Sequence, residues 1–412
     1  MPEDFINSRP AEDRAIGEPG AIWTGNFILL CFSSFALLIS LQMLIPTLPV
    51  YLLAIGGGQR DVGYMMGVYT ISAMLMRPVA GCLLDDYGRK KILFLSLVAV
   101  LAVTLLYKLA SGVVIMMIVR ALHGLAAAMA GTAMVTIVAD SVPKDRLGEG
   151  MGYFGLTSTI SLAFAPMVGF WLVGISGYQT LFVAVTLVTV LALSFSLPIR
   201  GAGAYSSDPV RTVRGVCASL LEKTALPASV VTFFLTTAYS AVLSFIPLYG
   251  VELGIGNTGL FFAANSVTML IFRPLAGRWA DRGGAGTVLL VGHLTMMIGM
   301  ASVGLSHNIL GFVLAGAIIG FGFGFCVPTL QALSLRHAPA ERRGAATGTY
   351  YIAFDLGLGL GTILWGYVAE AAGYQLMFYT TLAPLVLAGA IYWKIRKKDA
   401  EDSKINFSNP FA

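Results

Sequence analysis

About twelve times along this chain, some twenty consecutive residues are predominantly apolar, the length a helix needs to cross roughly 30 Å of hydrocarbon. The stretches fall at roughly 23–53, 62–84, 92–110, 112–139, 151–175, 180–198, 225–250, 259–280, 285–305, 310–335, 345–369 and 376–394. Lipid offers no water to an open backbone, so only helices or a closed barrel can span it. A barrel would show strand-length segments of alternating polarity, whereas these runs are continuous. The expected fold class is therefore an all-α integral membrane protein with twelve transmembrane helices. Composition agrees: 57% of the 412 residues are hydrophobic and 11% charged, too little polar surface for a soluble protein of this length.

The chain is also written twice. Arg77-Pro-Val-Ala-Gly81-Cys-Leu-Leu-Asp85-Asp86 is echoed by Arg273-Pro-Leu-Ala-Gly277-Arg-Trp-Ala-Asp281-Arg282, and 273 − 77 = 196. The same offset relates Gly177-Tyr178-Gln179 to Gly373-Tyr374-Gln375, Pro143 and Arg146 to Pro339 and Arg342, and Gly152 to Gly348. A period this long fits a duplicated half-protein rather than a solenoid. The expected organisation is a cytoplasmic tail at 1–20, a six-helix bundle at 21–198, a cytoplasmic linker at 199–224, a second bundle at 225–394 and a cytoplasmic tail at 395–412. The linker region carries Gly, Ser, Arg and Pro, with a short amphipathic stretch at Val213 to Leu221. Residues 1–20 have no basic flank leading into a short apolar core and a cleavage site, so no removable signal peptide is expected.

Cations set the orientation. With the N-terminus inside, Arg89, Lys90, Lys91, Lys144, Arg146, Arg200, Arg211, Arg214, Lys223, Arg278, Arg282, Arg336, Arg342, Arg343 and the Lys394 to Lys404 tail lie on the cytoplasmic side, and only Arg60 and Lys108 lie outside. This is the positive-inside pattern of a multi-pass protein of the plasma (cell inner) membrane with both termini cytoplasmic. The formal net charge of +5 then needs no nucleic-acid partner. Cys31, Cys82, Cys217 and Cys326 fall within helices or on the cytoplasmic side, where a disulfide framework is not expected. No phosphate-binding Gly-Lys-Ser/Thr loop, His/Cys metal cluster or nucleophile–base pair occurs in the sequence. Neither enzymatic activity, cofactor nor metal is expected, and an ion gradient is left as the energy source.

The loop Gly81-x-Leu83-x-Asp85-Asp86-x-Gly88-Arg89-Lys90 resembles the signature loop of the major facilitator superfamily. Its weaker echo at Asp281 and Arg282, the six-plus-six layout and the Arg120-x-x-His123-Gly124 stretch are similar to the twelve-helix drug:proton antiporter branch. The resemblance implies two pseudo-symmetric six-helix bundles with a substrate cavity between them near the bilayer midplane. It also implies a conformational latch made of Gly81, Asp85, Asp86, Gly88, Arg89, Lys90, Asp281 and Arg282. The residue types suit one: glycines permit a turn and close approach, a carboxylate accepts from a helix N-terminus or an arginine, and basic residues anchor a cytoplasmic face. A static topology anchor is the simpler reading of the basic residues. In the fifth stretch the family's paired glycines around a Gly-Pro step are replaced by Gly152, Ser161, Ala165, Pro166, Gly169 and Phe170, which keeps small size but weakens the antiporter likeness.

Charges within a span cost about 3 kcal/mol or more and are functional candidates by default. Two stand well inside the stretches, Arg120 and Asp355. Arg120 matches the family's fourth-helix arginine, which the resemblance links to proton coupling. His123, where the family usually has glutamine, can titrate near neutral pH or simply hydrogen-bond. Asp355 can be an ionised partner of a cation, a protonated carboxyl, or a group that alternates between the two. Its counterpart in the first half is Thr159 (355 − 196 = 159), so the repeat does not demand an acid.

Proton coupling is accordingly assigned to Arg120, His123 and Asp355. Candidate cavity residues are Asn26, Gln42, Tyr69, Tyr239, Asn265, Gln331 and Tyr350, and helix-bending residues are Pro46, Pro166 and Pro247. The expected function is that of a secondary active transporter working as a monomer in the lipid bilayer. It would export small amphipathic or zwitterionic organic molecules, its partners being the small-molecule substrate and protons. An importer or facilitator on the same fold, and a non-transporting receptor or scaffold, are the alternatives. The run Phe245-Ile-Pro-Leu-Tyr with Leu253-Gly, Asn257-Thr-Gly-Leu-Phe261 and Asp355-Leu-Gly is similar to exporters of opine-type metallophores and also resembles multidrug members.

Overall fold

A computed structural model describes residues 22–143, 146–199, 222–255, 257–336, 338–339 and 343–408, without the side chains of residues 82, 85, 147–149, 277–278, 280–283, 343–344 and 396–408. The expected N-terminal tail, most of the linker and the tip of the C-terminal tail lie outside the described residues. The chain is helical: α1 Gly25–Ala54, α2 Gln59–Tyr87, α3 Arg89–Leu106, α4 Val113–Ser141, α5 Leu147–Ser196, α6 Leu226–Glu252, α7 Gly259–Gly283, α8 Ala285–Leu305, α9 Ile309–Arg336, α10 Arg343–Thr380 and α11 Leu382–Ser408.

Eleven helices make twelve crossings. At 1.5 Å per residue the 50-residue α5 would be about 75 Å long, more than twice the hydrocarbon thickness. It is broken at Gly177, where φ 76° and ψ −176° demand glycine, and α10 is broken in the same way at Gly373 with φ 78° and ψ 166°. Nine helical stretches among the described residues are long and apolar enough to span. Two of them, Gly150–Ser196 and Ala345–Ile395, hold two crossings each, and α2 completes the set: 9 + 2 + 1 = 12.

The internal repeat is visible in the backbone. Gly177 and Gly373 are 196 residues apart, and so are Gly88 (φ 88°, ψ 137°) and Gly284 (φ 85°, ψ 134°), which turn α2 into α3 and α7 into α8. Contacts repeat likewise: α1 packs on α5 as α6 packs on α10, α2 on α4 as α7 on α9, and α3 on α4 as α8 on α9. Two bundles of six crossings result, meeting along α2–α10 and the equivalent α5–α7, with α1 against α6.

The bundles touch closely at the face remote from the chain ends. A Cβ on Gly63 of α2 would stand 2.6 Å from the Thr362 carbonyl oxygen of α10, and one on Gly366 would stand 2.8 Å from that of Gln59. Arg60 Nε meets Glu370 Oε2 at 2.7 Å, and the Tyr64 and Tyr367 hydroxyls share a short hydrogen bond. Van der Waals fit of small residues replaces the hydrophobic effect as the force joining helices in lipid, and glycine is what allows this approach. Cys31 and Cys326 are free thiols; the Cys82 side chain and Cys217 lie outside the described residues.

Candidate functional site

Between the halves, on the side of that seam nearer the chain ends, lies a cavity of about 370 Å³. Tyr69, Ala73 and Arg77 line it from α2 at four-residue spacing, so one stripe of that helix faces inward. From α10 come Asp355, Leu358 and Thr362, again one stripe; α1, α4, α5 and α6 complete a largely apolar wall.

An ion pair joins the two halves across this space. Arg77 Nε donates to Asp355 Oδ2 at 2.9 Å, with the Arg77 side chain 45% exposed and that of Asp355 9%. The pair is asymmetric: the carboxylate is nearly enclosed, while the guanidinium stands in the opening. Arg77 also lies 6.0 Å from the centroid of the Tyr351 ring, whose hydroxyl accepts from Gln331 Nε2 at 3.3 Å.

A second group lies one ring deeper, within the first half. The Arg120 guanidinium sits 3.9 Å from the centroid of the Tyr69 ring and reaches Met66 Sδ at 3.6 Å. It is 1% exposed and has no carboxylate partner among the described residues. A desolvated cation–π contact, worth about 2 kcal/mol or more, is what holds it. His123, one turn on, bonds through Nδ1 to the Tyr107 hydroxyl at 2.8 Å. Arg120 Nε and His123 Nε2 make no hydrogen bond among the described residues. Gly124 lets α4 approach, since a Cβ there would stand 2.3 Å from the Tyr69 carbonyl oxygen.

Of the residues the sequence singles out, Tyr69 and Asp355 line the cavity, and Arg120 and His123 stand behind Tyr69. Tyr239, Asn265 and Tyr350 turn into the second half: Tyr239 stacks on Phe323 at 3.8 Å and donates to Asn265 Oδ1 at 3.0 Å, Asn265 donates to the Gly316 carbonyl at 3.2 Å, and Tyr350 donates to the Val327 carbonyl at 3.0 Å. Asn26 lies near the start of α1, and Gln42 is half-buried on α1 beside the lining residues Leu38, Leu41 and Ile45 without being one of them. Pro46, Pro166 and Pro247 lie inside α1, α5 and α6, where each leaves the carbonyl four residues earlier without its usual donor.

In the signature loop, Gly81 is half-buried in α2, Gly88 makes the turn, and Asp86 and Lys90 are exposed. Arg89 pairs with Asp140 at the end of α4, within its own half. The side chains of Asp85, Asp281 and Arg282 lie outside the described residues.

Sequence reasoning missed Arg77. It counts two charges within the spans, yet Arg77 is a third, because the residue was absorbed into the loop motif that it opens. The signal was present: Arg77 lies two four-residue steps from Tyr69, on the same helix face. Tyr107, the histidine's partner, has no counterpart signal because it comes from the short turn after α3.

The sequence model of the Major Facilitator Superfamily matches residues 30–264 and 230–410. The staphylopine export protein of Staphylococcus aureus is 24% identical over 339 residues, 79% of this chain and 84% of that one. The multi-drug resistance efflux pump PmrA of Streptococcus pneumoniae is 23% identical over 374 residues, 87% and 93% of the two chains. Among solved structures, an inward-facing, unoccupied bacterial homologue of the human lysosomal transporter Spinster superposes with a TM-score of 0.75 at 14% identity, over 92% of this chain and 97% of that one. With both halves matched and the repeat carried in its backbone, the chain belongs to the Major Facilitator Superfamily.

Proposed function

We propose that this transporter exports small amphipathic or zwitterionic organic molecules, drug-like or metallophore-like, in exchange for protons, by alternating access. The observation that carries the reading is the Arg77–Asp355 pair, which ties the halves together inside the cavity. A carboxylate held by a guanidinium from the opposite half is released when it takes up a proton, so protonation changes the force between the bundles at the place where cargo sits. The face bearing the chain ends is the cytoplasmic one on the positive-inside rule. On that orientation the cavity belongs to the cytoplasmic side and the glycine seam closes the outside. The exports named for the staphylopine protein and for PmrA support outward direction.

The driving force is sufficient, since one proton crossing about 150 mV supplies roughly 3.4 kcal/mol, enough for a cargo gradient of a few hundredfold. In inverted vesicles, wild-type flux rises with the imposed pH gradient, and Asp355→Asn flattens that dependence with folded protein intact. An unchanged pH profile in the variant removes Asp355 as the proton carrier.

The latch at the cytoplasmic face acts in the same cycle. Arg89 is engaged by Asp140 of its own half, and on this reading the loop bridges the bundles when that face closes. Asp85→Asn is therefore expected to cut flux severalfold at unchanged membrane content, whereas loss of protein in place of flux assigns Asp85 to structure.

An importer or facilitator on the same fold is favoured by one observation, the replacement of the antiporter glycine pairs around Pro166. Flux that persists in inverted vesicles without a gradient would select it.

A further inference from the structure

The charges around the cavity do not cancel. Among the residues lining it, Arg77 and Asp355 are the charged ones. Arg120 adds a third charge, separated from the lumen by the Tyr69 ring on which it stacks. Two cations and one carboxylate leave an excess of 2 − 1 = +1 if Asp355 is ionised, and more if it is protonated. No described acid forms an ion pair with Arg120 to remove it.

The geometry of Arg77 makes this excess usable. Asp355 takes only the Nε edge of the guanidinium, the terminal amino nitrogens make no hydrogen bond among the described residues, and the side chain is 45% exposed. A guanidinium presents its donors as a planar fork that fits an oxyanion. The remaining wall, with Leu37, Leu41, Phe154, Leu243 and Leu358, is largely apolar and otherwise uncharged, so attraction and repulsion inside it are less screened than in bulk water.

We propose that the cargo is an organic monoanion, a carboxylate on a largely apolar body, seated on the free edge of Arg77 within the field of Arg120. This rests on the transporter reading above and holds whichever way the cargo moves. A lipophilic cation is disfavoured in the same space, because Asp355 is already taken by Arg77 and the residual field repels it. A phosphate monoester, carrying close to two charges, exceeds the single charge in excess.

The test measures the field without knowing the cargo. Gly131 and Gly155 line the cavity, and a Cβ at either would meet nothing within 4 Å, so each accepts a cysteine. In full-length protein with Cys31, Cys82, Cys217 and Cys326 changed to serine, Gly131→Cys and Gly155→Cys are labelled in parallel with a sulfonate-bearing and a trimethylammonium-bearing methanethiosulfonate. The rate ratio, normalised to a free thiol, should favour the anionic reagent about tenfold, and Arg77→Gln should bring it toward the free-thiol value. Indole-3-acetate should slow labelling, and tryptamine, the same ring with a positive charge, should not. Faster labelling by the cationic reagent, a ratio indifferent to Arg77→Gln, failure of indole-3-acetate to protect, or protection by tryptamine in its place would each overturn the proposal. Absence of cargo flux in the same preparation would instead refute the transporter reading, with the labelling ratio still readable.

Discussion

Gly63→Val arrests turnover while the protein remains folded in the membrane. The added Cβ alone would stand 2.6 Å from the Thr362 carbonyl oxygen, a backbone atom of the opposite half that cannot rotate away. Overpacking of this kind costs roughly 1–3 kcal/mol. Here the clash exists only when the seam is closed, so the cost falls on one access state and shifts the population by roughly fivefold to a hundredfold. Spin labels at Ser111 and His307, exposed on opposite halves near that face, should therefore move apart on average. Gly124→Ala places a Cβ 2.3 Å from the Tyr69 carbonyl oxygen within one half, and lowers folded yield in both states alike. An unchanged label distance with normal flux in Gly63→Val would show that the seam does not open during transport.

The second large effect is at Arg77. Arg77→Gln leaves Asp355 enclosed without its partner, a loss of roughly 3–5 kcal/mol for a fully buried pair and less here because Arg77 is 45% exposed. Flux is expected to fall at least about tenfold, and thermal stability in detergent to fall with it. Adding Asp355→Asn removes the stranded carboxylate, so the double variant is more stable than Arg77→Gln alone. Additive losses in this cycle would mean that the two residues act independently despite their 2.9 Å contact.

The membrane spans were legible because a helix in lipid must be apolar for its whole length, and the two halves because Gly177 and Gly373 hold the same left-handed break. The inward faces were harder to read. In a soluble protein polarity separates buried from exposed faces, but here both the bundle interior and the lipid are apolar, so the sequence does not announce how each helix is rotated. Tyr239, Asn265 and Tyr350 looked like cavity residues because they are polar; the structure satisfies them with one another and with backbone carbonyls inside the second bundle. Arg77 was hidden for a different reason. Its partner is 278 residues away, and no local pattern links them.

That separation matters during synthesis. α2 carries Arg60, Asp61, Arg77, Asp85 and Asp86, and Arg77 alone of these lies away from the helix ends. An arginine at the centre of an inserting helix costs the insertion machinery about 2.5–3.5 kcal/mol. At about 5–20 residues per second, Asp355 emerges roughly 14–56 s after Arg77. For that interval α2 must be carried into the bilayer by its neighbours α1 and α4, with its guanidinium unneutralised, so the ribosome-bound first half is the stage of biogenesis most exposed to mutations in those two helices.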